Sequence, residues 1–129
     1  MRSRMGRLVQ ALGEELDEAK GWIGVDLDAT LAEYHGYPGA GIIGEPVPAM
    51  VERVKRWLAA GKDVRIFTAR VSGEDVEKER AAIKAWCREH LGKELPVTNV
   101  KDADMVVLYD DRAVRVEKNT GRLLGGTGK

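Results

Sequence analysis

Asp26 and Asp28 stand one residue apart at the end of an apolar run, Trp22-Ile-Gly-Val-Asp-Leu-Asp-Ala-Thr-Leu31. On a strand, side chains i and i+2 share a face. Past the strand end both carboxylates can therefore point into one cleft. Paired acids repel, and a divalent cation or a shared proton is what holds such a pair together. Thr68 follows a second apolar run, and Asp110-Asp111 follow a third. Several carboxylates with no His or Cys cluster make a hard oxygen site, which favours Mg²⁺ over zinc or copper. Mg²⁺ takes one or two carboxylates and completes its shell with water and substrate phosphate, so the site would attract a phosphate ester. A carboxylate beside the metal can attack phosphorus and form an acyl-phosphate. A second one, two residues on, can protonate the leaving oxygen and later activate water. A hydroxyl and a lysine can hold the transferring oxygens.

The elements that must position these groups alternate along the chain. Leu8, Leu12, Leu16 and Ala19 recur at helical spacing, which predicts an amphipathic helix over Arg7 to Lys20, stopped by Gly21. Trp22 to Leu27 is nearly continuous in apolar residues, as in a strand covered on both faces of a parallel sheet. Gly36, Gly39, Gly41 and Gly44 with Pro38 read as a loop within residues 31–45. Pro46 then opens a helix whose stripe is Val47, Met50, Val51, Val54, Trp57 and Leu58, ended by Gly61. Val64 to Phe67 is the second strand. A third helix is expected from near Ser72, with Glu74 and Asp75 in its first turn and a stripe of Val76, Ile83, Trp86, Cys87 and Leu91 before Gly92. Leu95 to Val100 is a candidate short strand, Met105 to Tyr109 a further one, and Val114 and Val116 alternate with Arg115 and Glu117 in a half-exposed one. Asn119-Thr120-Gly121 reads as a turn. Strand and helix in alternation predict a parallel sheet with helices on its faces. Ligands of such folds bind at the carboxyl ends of the strands, which is where Asp26, Asp28, Thr68, Asp110 and Asp111 would meet.

Bulk composition narrows the class. A chain of 129 residues is one domain in this reading, with a 43% apolar content that argues against disorder. Lys plus Arg equals Asp plus Glu, 21 each, so no global basic field draws nucleic acid, although a local patch stays open. The lone Cys87 excludes an intrachain disulfide framework and fits a reducing compartment. No run approaches membrane-spanning length. The early Arg2, Arg4 and Arg7 lead into Glu14, Glu15, Asp17 and Glu18 rather than an apolar core, unlike a secretory signal. The expectation is a cytoplasmic protein with no membrane partner.

The ordered set Asp26-Leu-Asp28-Ala-Thr30, then Thr68, then Lys101, then Asp110-Asp111 resembles the four motifs of the haloacid dehalogenase superfamily of phosphohydrolases. The likeness spans residues 22 to about 117. It implies an α/β, three-layer, Rossmann-like parallel sheet with helices on both faces. Residues 22–124 would form the catalytic unit, 1–21 a helical extension and 125–129 a loose tail. By resemblance Asp26 is the nucleophile, and Asp28 the general acid/base whose main-chain carbonyl also binds metal. Thr68 binds the phosphoryl group and Lys101 neutralises charge, with Lys84 and Lys93 as rival lysines. Asp110 and Asp111 complete a Mg²⁺ site with Asp26 and Asp28. Thr30 sets the turn after the first strand and, with Arg70 and Arg112, lies where substrate would be contacted. An acid at position 28 is similar to the phosphatase branch. The family usually has Gly where Ala29 stands; Ala costs little there if the backbone is not left-handed. The gaps between motifs leave no room for a cap domain. An open site is similar to that of capless members acting on large substrates, and Asp110-Asp-Arg112 resembles the phosphatase half of polynucleotide kinase-phosphatases. A phosphorylated substrate, of nucleotide type or a nucleic-acid end, is the implied partner.

Plainer readings stand beside these. A lone D-x-D pair is more often a helix cap and a turn residue, and Asp110-Asp111 alone could be a turn. Lys101 by itself reads as a solvated lysine. Arg70 and Arg112 could grip a phosphate or pair structurally. Tyr34 and His35 sit in the loop over the expected site. Trp57, Trp86 and Cys87 read as core. The alternative function is a non-enzymatic phospho-receiver-like or phosphate-binding module. Motif order separates the two: a receiver has its acidic pair first and its phosphorylated Asp later, whereas D-x-D comes first here.

Overall fold

The computed structural model describes residues 20–125. The expected N-terminal helix and the end of the tail lie outside them. The chain is an α/β protein built on a four-stranded parallel sheet, in the order β3-β2-β1-β4. The strands are β1 (Trp22–Asp26), β2 (Asp63–Phe67), β3 (Val97–Thr98) and β4 (Met105–Tyr109). Two helices lie between them: α1 (Pro48–Ala59) connects β1 to β2, and α2 (Val76–Leu91) connects β2 to β3. A two-stranded antiparallel ribbon of β5 (Arg115–Val116) and β6 (Leu123–Leu124) follows β4.

The core explains why these segments fold as they do. Ile23 and Val25 of β1, with Val64 and Ile66 of β2, project from one face of the sheet by the two-residue period of a strand. They pack against Met50 and Val54 of α1 and Ile83, Trp86, Cys87 and Leu91 of α2 in one cluster. Both helices of the described residues thus cover the same face. Truncating a fully buried member such as Ile66 to Ala would cost about 2–5 kcal/mol. Burial also pushes the Cys87 thiol up to about 11, so it is core, not reactive.

Several boundaries differ from expectation. The helix-opening proline is Pro48, at the first helical position after Val47, where a missing N–H costs nothing. Pro46 instead forms a bridge with Ala32 that ties the two ends of the 33–45 loop. The segment after β2 does not enter its α-helix at Ser72. Ala69–Ser72 is a 3₁₀ turn whose start is capped by the Thr68 hydroxyl, and Asp75 precedes the α-helix proper. The first turn therefore carries Glu77 and Glu79 in place of Glu74 and Asp75. Gly92 closes α2 in the left-handed conformation, φ 87°. The expected strand at Leu95 to Val100 shrinks to Val97–Thr98. Among the described residues, no helix is long and apolar enough to cross a membrane.

Candidate functional site

Strand register brings the site together. β1 and β2 run in parallel with Asp26 beside Phe67, and β1 and β4 with Val25 beside Tyr109. The residues that follow each strand therefore emerge at one edge: Leu27 and Asp28, Thr68, and Asp110-Asp111. Tyr109 is fixed by its ring against Trp57 of α1, centroids 4.8 Å apart, which anchors the strand end that carries Asp110.

Asp26, Asp110 and Asp111 each offer a carboxylate oxygen within 4.8 Å of the others. Thr30 bridges the two strand ends. Its Oγ1 accepts the Asp111 backbone N–H at 3.0 Å and lies 3.2 Å from Asp26 Oδ2 and 3.1 Å from Asp111 Oδ1. One hydroxyl proton serves only one of these oxygens at a time. The Arg112 backbone N–H donates to Asp110 Oδ1 at 2.8 Å. Among the described residues, no cationic side chain pairs with these three acids. Burial, then a hydrogen bond with Asp111 and the charges of Asp110 and Asp111, push the Asp26 carboxyl up to about 8, against a smaller lowering by Thr30. Protonation of Asp26 is thus favoured in this cluster, and a hard divalent cation is the other way to offset its charge. The donor set, oxygen alone from three carboxylates, fits such a cation.

Asp28 is held differently. Arg70 Nε donates to its Oδ2 at 2.8 Å and Arg70 Nη2 to its Oδ1 at 3.0 Å, a bidentate fork. Arg70 Nη1 donates to Glu79 Oε1 at 3.0 Å, and Glu79 is only 3% exposed. The Gly41 N–H donates to the same Glu79 oxygen at 3.0 Å, and Tyr37 Oη donates to Glu79 Oε2 at 2.6 Å. Burial alone would raise the Glu79 carboxyl, but Tyr37, Gly41 and Arg70 together outweigh it and hold it below its ordinary value. Burial likewise opposes charge on Arg70, and its bonds to Asp28 and Glu79 reverse that, raising it above its ordinary value. Thr68, 2% exposed, accepts the Arg70 backbone N–H at 3.1 Å, so its own hydroxyl proton remains to be donated.

These groups border an open cavity of about 740 Å³ whose lining includes Asp26, Asp28, Thr68, Arg70, Asp111 and Arg112. The structure thus brings together most of the residues singled out from sequence. Thr30 and Asp110 are not part of the lining, and Lys101 is exposed on the β3–β4 connection and does not line the cavity. Its neighbour Asp102 accepts a hydrogen bond from the Trp22 indole at 2.9 Å, at the start of β1. Lys84, on α2, and Lys93, just past it, do not line the cavity either. Arg70, one of the residues placed near substrate, is already committed to two carboxylates. Ala29 corrects an expectation. Its φ is 74°, left-handed backbone, with its N–H bonded to the Ala32 carbonyl at 2.8 Å, so the side chain there is strained.

Glu79 and Tyr37 are the residues that sequence reasoning missed. A signal for Glu79 existed: it lies three residues after Val76 and four before Ile83, on the inward stripe of α2. An acid at an inward helix position demands a buried cation.

No family model and no curated protein matches the chain. A solved structure, that of a conserved protein coded by a locus from Bacteroides thetaiotaomicron, is similar to it at 27% identity and a TM-score of 0.54, over 72% of this chain and 77% of that one. An α/β protein with carboxylates gathered at the carboxyl edge of a parallel sheet is the class that fold and site define.

Proposed function

We propose that the chain is a phosphomonoester hydrolase of the haloacid dehalogenase type, working with Mg²⁺ through an aspartyl-phosphate on Asp26. In this reading it is a three-layer, Rossmann-like unit with helices on both faces and no cap domain. The observation that carries the reading is the meeting of Asp26, Asp110 and Asp111 within 4.8 Å beside an open cavity. Those three carboxylates would hold the cation. When bound, it would neutralise the cluster and the incoming phosphate and polarise the phosphoryl oxygens.

An Asp26 oxygen attacks phosphorus, the bond from phosphorus to the ester oxygen breaks, and Asp28, protonated from solvent on the oxygen that Arg70 releases, gives that proton to the departing alkoxide. Water then attacks the phosphorus of the acyl-phosphate and passes a proton to Asp28. Inorganic phosphate leaves, and Asp26 is regenerated. Thr68 donates its free hydroxyl proton to a phosphoryl oxygen. Both Asp28 oxygens rest on Arg70, so proton transfer needs one of them released. An arriving phosphate competes for the guanidinium and supplies that release, which places Arg70 on the substrate at that moment. Lys101 is not needed in this scheme.

Turnover of an aryl phosphate with and without Mg²⁺ tests the reading. Asp26→Asn is expected to lower kcat by at least about a thousandfold while the fold persists. Full activity in that variant, or activity indifferent to divalent cations, would refute it.

A further inference from the structure

The 33–45 loop is not loosely attached. The Glu33 N–H bonds the Glu45 carbonyl at 2.8 Å, and Gly44 lies so near the Glu33 carbonyl that a Cβ there would sit 2.1 Å from its oxygen. Within the loop, Tyr37 is fixed at two points. Its hydroxyl is bonded to buried Glu79, and the Arg70 guanidinium sits 5.2 Å from its ring centroid. Yet the residue is 58% exposed and lines the cavity, as Tyr34 does. A large planar surface held this firmly while left open to solvent has the attributes of a contact platform rather than of core.

The charges at the cavity mouth restrict what can rest on it. Glu74 and Asp75 line it and no lysine does. Arg70 is taken up by its two carboxylates and, in the proposed reaction, by the transferring phosphate, which leaves Arg112 as the one lining cation whose side chain makes no ion pair among the described residues. Proteins that bind nucleic-acid strands track successive phosphates with a basic groove. This mouth would meet a second and third phosphate with carboxylates. Acids at such a rim instead accept hydrogen bonds from amino and imino edges of a heterocycle. A cavity of about 740 Å³ is of the size that encloses a small molecule.

We propose, resting on the phosphatase reading, that the substrate is a monophosphate of a planar nitrogenous ring, stacked on Tyr37 with its donor edge toward Glu74 and Asp75, and not a nucleic-acid end. Glu79 is the positioning residue. One buried carboxylate aims both the Tyr37 ring and, through Arg70, the Asp28 side chain.

Binding to the Asp26→Asn chain in Mg²⁺, followed calorimetrically, separates this claim from turnover. Guanosine monophosphate is expected to bind at least tenfold tighter than ribose 5-phosphate, which carries the same phosphate without the ring. A 5′-phosphorylated oligonucleotide is expected to bind no better than the mononucleotide. Tyr37→Leu should abolish the tenfold preference, and Tyr37→Phe, which keeps the ring, should retain most of it. Equal binding of the two small phosphates, tighter binding of the oligonucleotide, or a preference that survives Tyr37→Leu would each overturn the proposal. Any of these in a chain that still hydrolyses aryl phosphate leaves the phosphatase reading standing. A chain that hydrolyses no phosphate monoester but keeps the ring preference loses that reading and retains the platform.

Discussion

The carboxylates of this site fall into two groups with opposite electrostatics. Asp26, Asp110 and Asp111 crowd together with no cationic side chain between them among the described residues, and Thr30 bridges Asp26 and Asp111. Asp28, two residues after Asp26, and Glu79 share one guanidinium and have every oxygen bonded. The first group is left incomplete by the fold and looks outward for charge. The second is closed by the fold and holds shape. Folding alone would not select an uncompensated cluster, since it costs free energy. In the proposed reading a divalent cation would supply the missing charge.

Breaking the closed network should produce the largest stability effect. Arg70→Met would leave Glu79 buried with only a hydroxyl and one N–H, and a buried pair deprived of one partner typically costs about 3–5 kcal/mol. Glu79→Gln should cost less, because Arg70 keeps its fork to Asp28. Urea unfolding of the two variants checks the order. The pH dependence supports the comparison. Glu79 titrates below its ordinary value in the folded chain, so its contribution is present at neutral pH and is lost as pH falls through that lowered value. The acid limb of the stability curve should therefore flatten in Glu79→Gln.

The open cluster carries the reverse sign. Asp26 is raised from 3.8 to about 8, so in the metal-free chain its protonated form stabilises the fold below about pH 4, and that contribution fades as pH climbs through 8. A divalent cation would compete with the proton on Asp26. Stabilisation by Mg²⁺ should accordingly grow between pH 6 and 9, reaching about 2.7 kcal/mol at a hundredfold excess over Kd. Thermal melts across that range, with and without Mg²⁺, are the measurement. A shift that shrinks as pH rises would remove the cluster as the cation site.

How much of this was legible in sequence depended on how local the cause was. β4 begins and ends at the residues its apolar run marks, Met105 and Tyr109. The edge where Asp26, Thr68 and Asp110 meet followed from strands in parallel. Pro46 and Pro48 could not be told apart, because what removes Pro46 from the helix is a bridge to Ala32, fourteen positions back in the chain. Thr68 could be marked as a site residue, yet the 3₁₀ turn it caps, which delays α2, was not foreseen. Arg70 reads from sequence equally as a phosphate grip and as a structural partner. Its engagement with Asp28, forty-two positions away, is tertiary and leaves no pattern in the chain. Lys101 has order along the chain in its favour and, like Asp110, does not line the cavity.

The smallest effect concerns the joint between the two groups. Ala29 separates Asp28, which faces the closed network, from Thr30, which bridges the open one. It makes the turn with φ 74°, a conformation in which a Cβ crowds the backbone. Left-handed backbone costs a non-glycine residue about 1–2 kcal/mol, and glycine escapes that cost while losing more freedom on folding. Ala29→Gly should thus stabilise the chain by roughly 0.5–1 kcal/mol, read as a higher urea midpoint with an unchanged slope. If the alanine also holds the turn stiff, and so keeps Asp28 on Arg70 and Thr30 between its acids, the same variant should weaken the pH dependence of the Mg²⁺ shift. A destabilised Ala29→Gly chain would mean that stiffness at this one residue matters more to the fold than relief of its strain.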